Sequence, residues 1–205
     1  RKEKKRMESF DKDITALIDY LENIISLSDE EKHWLTSKVE YRRYLKGQYI
    51  LQQGDTCKYL NFIVNGATKT FHIDQEGNEH IFRFAIKNWW ATDLPSFIDQ
   101  MNANTNIQCL GNTEVIRISK QNLEELYFQI PLLEHFFRLL FQRVSITLEK
   151  RIIGNLSLSA KERYLLFKDE FKEFEQIIPQ YMIASYLGIS KQYLSEIRNQ
   201  KDSNP

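Results

Sequence analysis

A chain of 205 residues with 42% hydrophobic and 13% aromatic content can bury a real core, as one large domain or two small ones, which excludes a disordered chain. Its 28 Lys/Arg balance 28 Asp/Glu, so it lacks the basic excess of a protein that binds nucleic acid indiscriminately through phosphates. Two cysteines, Cys57 and Cys109, without CxxC spacing are too few to hold a zinc ion or an iron–sulfur cluster, and no run reaches the ~18 apolar residues of a membrane span. No charged-then-apolar leader opens the sequence, so the expectation is a cytoplasmic protein with reduced thiols, no cofactor and no membrane contact.

The opening RKEKKRM reads as a solvated charge run rather than a DNA-binding arm. From Phe10 to Ile25, Ile14, Leu17, Ile18, Leu21, Ile24 and Ile25 recur at helical spacing. Ser28 and Glu31 form a capping box that opens a second helix to about Val39.

From Tyr41 the apolar period changes to two. Strands are expected at Tyr41–Leu45, Tyr49–Gln52, Tyr59–Val64, Thr68–Ile73, His80–Ala85, Asn106–Leu110 and Glu114–Ile118, with five of the seven glycines in the turns between them. Evenly spaced short strands predict a β-roll or barrel, and Asn65-Gly66 predicts a two-residue hairpin. Leu94–Met101 interrupts the strands as one or two helical turns, with Pro95 tolerated early.

Ser119 caps a short helix to Phe128, and Pro131 opens a long one. Leu133, Phe137, Leu140 and Val144 make one apolar seam on it, and Phe136, Leu139 and Ile146 another. One seam is expected on the roll and the other against a second copy. Gly154-Asn155 is expected to end this helix as a hinge. Ser159 caps the next, Ala160 to about Phe171, with Tyr164, Leu165 and Phe167 as its core.

Gln180 to Asn199 reads as two helices around a tight turn. Pro179 is an N1 residue, Ile183, Ala184 and Leu187 are apolar, Gly188 supplies a positive φ, Ile189 plugs the turn, and Ser190 caps the second helix. Leu194 and Ile197 face inward. Lys191, Gln192, Ser195, Glu196 and Asn199 share the outer face and can address base edges, while Gln180, Ser190, Tyr193 and Arg198 are placed for phosphates. This is the helix-turn-helix pattern, whose second helix reads a DNA major groove. The plain alternative is a solvent-exposed polar face on a structural helix pair.

A β-roll, a long helix and a C-terminal helix-turn-helix, in that order and size, resemble the Crp/Fnr superfamily of bacterial transcription regulators. Lys46–Asp55 (KGQYILQQGD) and Phe62–Gly66 (FIVNG) resemble glycine-bracketed turns of that family's cyclic-nucleotide-binding domain. Ala160–Tyr164 (AKERY) resembles the start of the helix after its hinge. Ile178–Ser190 (IPQYMIASYLGIS) is similar to the motif of Bacteroidetes members. The resemblance implies an α+β chain: 1–130 an N-terminal helix and β-roll sensor domain, 131–154 a dimerisation helix with hinge, and 155–205 an all-α helix-turn-helix domain. It implies a homodimer on near-palindromic double-stranded DNA, with a small-molecule effector and RNA polymerase as further candidate partners.

Departures from the family pattern shape the expected chemistry. Nucleotide-binding members carry Gly-Glu after the fifth strand and Arg-Ser or Arg-Thr about ten residues on, for the ribose hydroxyl and the cyclic phosphate. Here the stretch reads Ala91-Thr92-Asp93-Leu94 and then Asn104-Thr105, so Asp93 can replace the glutamate but no arginine stands at Asn104. A buried phosphate without a charged partner is costly, so weak or absent cyclic AMP binding is expected. The cluster cysteines of oxygen-sensing members are absent, related sequences often carry Arg where Glu196 stands, and the usual wing strands after Arg198 are expected to be missing. Phe82, Phe84, Trp90, Thr92, Asp93, Ser96 and Thr105 are the candidate effector pocket, or simply the filling of the roll.

His72 and His80 would suit a metal cupin only with His-x-His spacing, which is absent, and His33 and His135 lie on helices, so no metal site and no enzyme are expected. Residues 155–205 hold seven Lys/Arg and seven Asp/Glu. That balance keeps open an interaction module that has lost DNA binding.

Overall fold

The computed structural model describes residues 14–172, 175 and 178–199, so the basic opening stretch and the Phe10 end of the first expected helix lie outside the described residues. Helix α1 occupies residues 14–22, and the Asn23 side-chain amide donates to the Asp19 carbonyl at its end, at 3.0 Å. Helix α2 (Asp29–Lys38) begins on the expected capping box, with Ser28 Oγ accepting from Glu31 N and the Glu31 carboxylate accepting from Ser28 N at 2.8 Å.

Eight strands follow: β1 (Val39–Tyr44), β2 (Tyr49–Leu51), β3 (Tyr59–Asn65), β4 (Ala67–Ile73), β5 (Glu79–Ile86), β6 (Trp90–Ala91), β7 (Asn106–Cys109) and β8 (Thr113–Ser119). They form two antiparallel four-stranded sheets, ordered β1-β8-β3-β6 and β2-β7-β4-β5. Short β6 has no alternating pattern to announce it. Helix α3 (Leu94–Asp99) sits between β6 and β7, and α4 (Lys120–Gln129) follows β8 with Ser119 Oγ accepting from Asn122 N.

The structure corrects the reading of Asn65-Gly66 as a hairpin. β3 pairs with β8 and β6, whereas β4 pairs with β5 and β7, so the two strands that Gly66 joins lie in different sheets. Gly66 is a corner, with φ of 92°. A Cβ there would lie 2.6 Å from the Asn112 carbonyl oxygen and 2.7 Å from Thr113 Oγ1, so the corner is pressed onto the start of β8. The tight turn forms instead between β4 and β5, where the Asp74 carboxylate accepts from the backbone N–H of Glu76 and Asn78 at 3.0 and 2.9 Å.

A main core fills the roll and binds it to the helices. Phe62 of β3 meets Tyr20 of α1 and Trp90 of β6 at ring distances of 5.0 and 5.2 Å. Helix α5 (Leu132–Ser157) begins against this core, where Trp90 lies 5.3 Å from Phe137 and Tyr20 5.7 Å from Phe136. Phe136, expected in a different seam from Leu133 and Phe137, is buried beside them in the same core, whereas farther along the helix Ile146, Ile152, Ile153 and Leu156 are 52%, 61%, 54% and 84% exposed. Its 26 residues span about 39 Å, and one side stays against the molecule as far as Arg151, which bonds the Phe82 carbonyl of β5, while the other side is left open.

The expected break at Gly154-Asn155 is also corrected. Gly154 is buried inside α5, which continues to Ser157 before Leu158 turns extended. The stronger local signal lies four residues on. Ser159 and Glu162 form a second capping box that starts α6 (Ala160–Glu170). On α6, Tyr164 and Phe167 are buried as expected, but Leu165 is 37% exposed, one helical step off the inner face. Helices α7 (Gln180–Leu187) and α8 (Lys191–Asn199) complete the described chain.

Gly66→Ala should lower stability by ~2–4 kcal/mol, from backbone strain plus overlap with the Asn112 carbonyl. Gly77→Ala, at φ of 85° but with open space around it, should cost only about 1 kcal/mol. Urea midpoints at unchanged m-value provide the comparison.

Candidate nucleic-acid interface

The turn between α7 and α8 is closed by backbone bonds that the sequence makes available. Gly188 takes φ of 66°, its N–H donates to Ser185 O at 3.1 Å, and Ile189 N–H donates to Ala184 O at 3.0 Å. This pair of bonds is a Schellman closure, and Ile189 packs inward behind it. Ser190 caps α8 by accepting from Tyr193 N at 3.1 Å. Pro179 precedes α7 as its cap residue, one position before the expected N1.

Ile183, Ala184, Leu187, Leu194 and Ile197 are all buried. Ala184 lies where a longer side chain would hold the two helices apart. Opposite them, Lys191, Gln192, Glu196 and Asn199 are exposed and Ser195 is half-buried, so one face of α8 carries five polar side chains. Gln180 is exposed at the start of α7, and Tyr193 is 48% exposed. Arg198 is half-buried with Nη1 4.0 Å from the Glu175 carboxylate, which also lies 3.7 Å from Lys168 Nζ.

The helix pair is anchored on the roll through an open sheet edge. β5 is the last strand of its sheet, so one side of its backbone has no strand partner. Ser185 Oγ of α7 accepts from Ile81 N at 3.0 Å and donates to Glu79 O at 3.1 Å, standing in for a neighbouring strand. Arg151 of α5 donates to Phe82 O and, at 2.9 Å, to Tyr186 O, with its guanidinium 3.9 Å from the Tyr186 ring centre. Phe84 of β5 completes the joint, with Tyr186, Phe171 and Phe167 at ring distances of 5.4, 5.8 and 6.1 Å. Phe71, Ile81 and Phe84 of the roll thus share one core with α6, α7 and α8.

Behind this joint lies a cavity of about 430 Å³ between β5, β6, α5, α6 and α7. Of the seven expected pocket residues, Phe82, Phe84, Trp90 and Thr92 line it. Asp93, Ser96 and Thr105 form a separate network. The Asp93 carboxylate caps α3 by accepting from Ser96 N at 3.1 Å and accepts from Thr105 Oγ1 at 2.7 Å. Ser96 Oγ accepts from Cys57 N at 2.8 Å and donates to Met101 O. The carboxylate proposed to replace a nucleotide-binding glutamate is therefore occupied by its own loop.

Arg83, Arg143, Arg151, Glu170 and Tyr186 also line the cavity, and sequence reasoning missed them. The one available signal was Arg83 itself, a charge between two phenylalanines in a strand. Burial pulls its pKa down and nearby Arg151 adds to this, while burial pushes the Glu170 carboxyl up against the opposing pull of Arg151.

Among the described residues no group of three or more His, Cys, Asp or Glu could hold a metal ion. His72 bonds the Asn104 carbonyl at 2.8 Å and His80 the Asp74 carboxylate at 2.6 Å. Burial pushes the Cys109 thiol up to about 11, so it is a poor thiolate ligand at neutral pH.

Residues 41–129 match the family model of the cyclic nucleotide-binding domain. The chain is 28% identical over 189 residues to the transcriptional activator protein Anr of Pseudomonas aeruginosa, covering 84% of this chain and 75% of that one. Its fold is similar to that of FixK2 from Bradyrhizobium japonicum, with a TM-score of 0.66 at 17% identity over 79% of this chain and 83% of that one. It is also similar to the catabolite activator protein of Thermus thermophilus, with a TM-score of 0.53 at 20% identity over 85% of this chain and 84% of that one.

Ser185→Ala should leave Ile81 N–H and Glu79 C=O without partners and weaken the joint by ~1–3 kcal/mol. The expected outcome is faster amide exchange at Ile81 and across α7, with protection of β3 and β8 unchanged; equal loosening of all three would refute a local anchor.

Proposed function

We propose that the chain is a transcription regulator of the Crp/Fnr type that acts as a cytoplasmic homodimer whose α8 helices read a near-palindromic DNA site, a reading supported by its match to the cyclic nucleotide-binding domain and its similarity to Anr. Regulators of this superfamily bind DNA as dimers, and no helix among the described residues is long and apolar enough to cross a membrane. The observation that carries the reading is the α7–α8 pair: a closed turn, five buried contact residues, and a polar outer face on the second helix.

In this reading Lys191, Gln192, Ser195, Glu196 and Asn199 meet base edges. Lysine reaches guanine acceptors, glutamine pairs with adenine, and glutamate accepts from cytosine N4. Gln180, Ser190, Tyr193 and Arg198 lie against phosphates and set the register. The dimer forms through the open side of α5, where Leu139, Ile146 and Ile153 recur every seven residues. Leu140 and Val144 turn the other way, into the cavity. Control passes from a small-molecule effector in the roll to the placement of the two readers, and RNA polymerase is the downstream partner. Cyclic AMP is a poor candidate for that effector, because Asp93 is capped into its own loop and no arginine stands at Asn104.

One alternative has a specific observation in its favour. The charge balance of residues 155–205 suits a module that keeps the helix pair for protein contact and has lost DNA binding.

In vitro selection from a random DNA library over a salt series tests the two readings. An inverted repeat with half-sites one helical turn apart is the expected product, and a featureless pool would favour the interaction module. On the selected site, Gln192→Ala should relax preference at one base pair by ~1–3 kcal/mol; uniform weakening on every sequence would make Gln192 a backbone contact. Ile146→Glu with Ile153→Glu should convert the dimer to monomer by sedimentation and weaken binding to the full repeat far more than to a half-site.

A further inference from the structure

The cavity behind the helix pair holds more cations than anions. Its wall includes the apolar faces of Leu60, Phe84, Trp90, Leu140, Phe141 and Phe171. Three arginines reach it, Arg83, Arg143 and Arg151, against one carboxylate, Glu170. Arg151 is committed to the carbonyls of Phe82 and Tyr186 and to the Tyr186 ring. Arg143 stands at the exposed rim. Arg83 is half-buried and, among the described residues, its side chain makes no hydrogen bond or close ion pair; Arg151 repels it, and the Asp93 carboxylate acts on it as a favourable charge from farther off.

A guanidinium facing a cavity with more cations than carboxylates is available to an anion, and its planar fork suits a carboxylate, sulfonate or phosphate oxygen pair. The surrounding rings suit a flat apolar body. A volume of about 430 Å³ falls in the range of small-molecule sites.

We infer that this cavity binds a small aromatic anion, with Arg83 as its charge partner and the aromatic walls holding its ring. Asp93 and Thr105 do not line the site, whereas Thr92 and Leu94 on either side of Asp93 do. An occupant touches β5, α5, α6 and α7 together, so it bridges the roll and the reader. Its effect on DNA affinity rests on the DNA reading above; the binding itself does not.

The test uses the full chain and two fluorescent probes of the same ring system. One is 8-anilinonaphthalene-1-sulfonate, an aromatic anion. The other is N-phenyl-1-naphthylamine, which lacks the sulfonate. The expected result is one sulfonate probe per chain, bound at least ten-fold more tightly than the neutral probe, with a rise in melting temperature. Arg83→Met should weaken the sulfonate probe at least ten-fold and leave the neutral probe within two-fold, while Arg83→Lys retains most of the sulfonate affinity. Equal wild-type affinity for the two probes, several weak sites per chain, or undiminished sulfonate binding by Arg83→Met would overturn the proposal. Should Arg83→Met fail to fold, the wild-type ratio of the two probes decides alone. DNA binding is not read in this experiment, so failure here leaves the reading of α8 untouched.

Discussion

Phe84 belongs to the roll by sequence and to the C-terminal helices by contact. Its ring is 1% exposed and surrounded by Phe167, Phe171 and Tyr186. Because β5 is an edge strand, the sheet needs a cover there, and α7 supplies one through Ser185. The apolar contact and the edge bonds reinforce each other. Removing the cover would expose aromatic surface and unpaired backbone groups together. The reader's position is therefore tied to the geometry of one strand, and anything that shifts β5 acts on α7 directly.

Helix α5 connects that joint to the rest of the molecule by showing different residues to different neighbours. Leu133, Phe136 and Phe137 hold it to the roll, Leu140, Val144 and Arg151 face the cavity and the joint, and Ile146 and Ile153 look outward. A rotation of this helix about its own axis would change all three surfaces at once, since side chains on a helix cannot move independently of their backbone. The unbroken run through Gly154 matters here, because a rigid rod transmits such a rotation as far as Leu158.

The α7–α8 turn was legible in the sequence because its chemistry is local: glycine at the left-handed position, isoleucine after it, serine as the next cap. The two capping boxes at Ser28 and Ser159 were readable for the same reason. The roll's strands followed from their period, apart from β6, which is two residues long. Sheet membership was not legible, because Asn65-Gly66 looks the same whether the next strand folds back or crosses to the other sheet. Only the position of Asn112, far away in the chain, distinguishes them. The cavity was half legible. Phe82, Phe84, Trp90 and Thr92 came from their place near the expected ligand loop. Arg151 and Tyr186 join them through contacts spanning 69 and 35 residues, which no local pattern encodes.

The cations of the helix pair are arranged unevenly. Lys168 of α6 and Arg198 of α8 both lie near Glu175, and among the described residues Lys191 is the other cation of α8. If α8 reads DNA as proposed, a helix so sparsely charged would have little hold on DNA of the wrong sequence. Its search would then be made of brief collisions separated by free diffusion rather than long one-dimensional slides. Occupancy of a target would follow the number of correct base contacts and the presence of both halves of the proposed dimer, with little of the protein sequestered on the remainder of the chromosome.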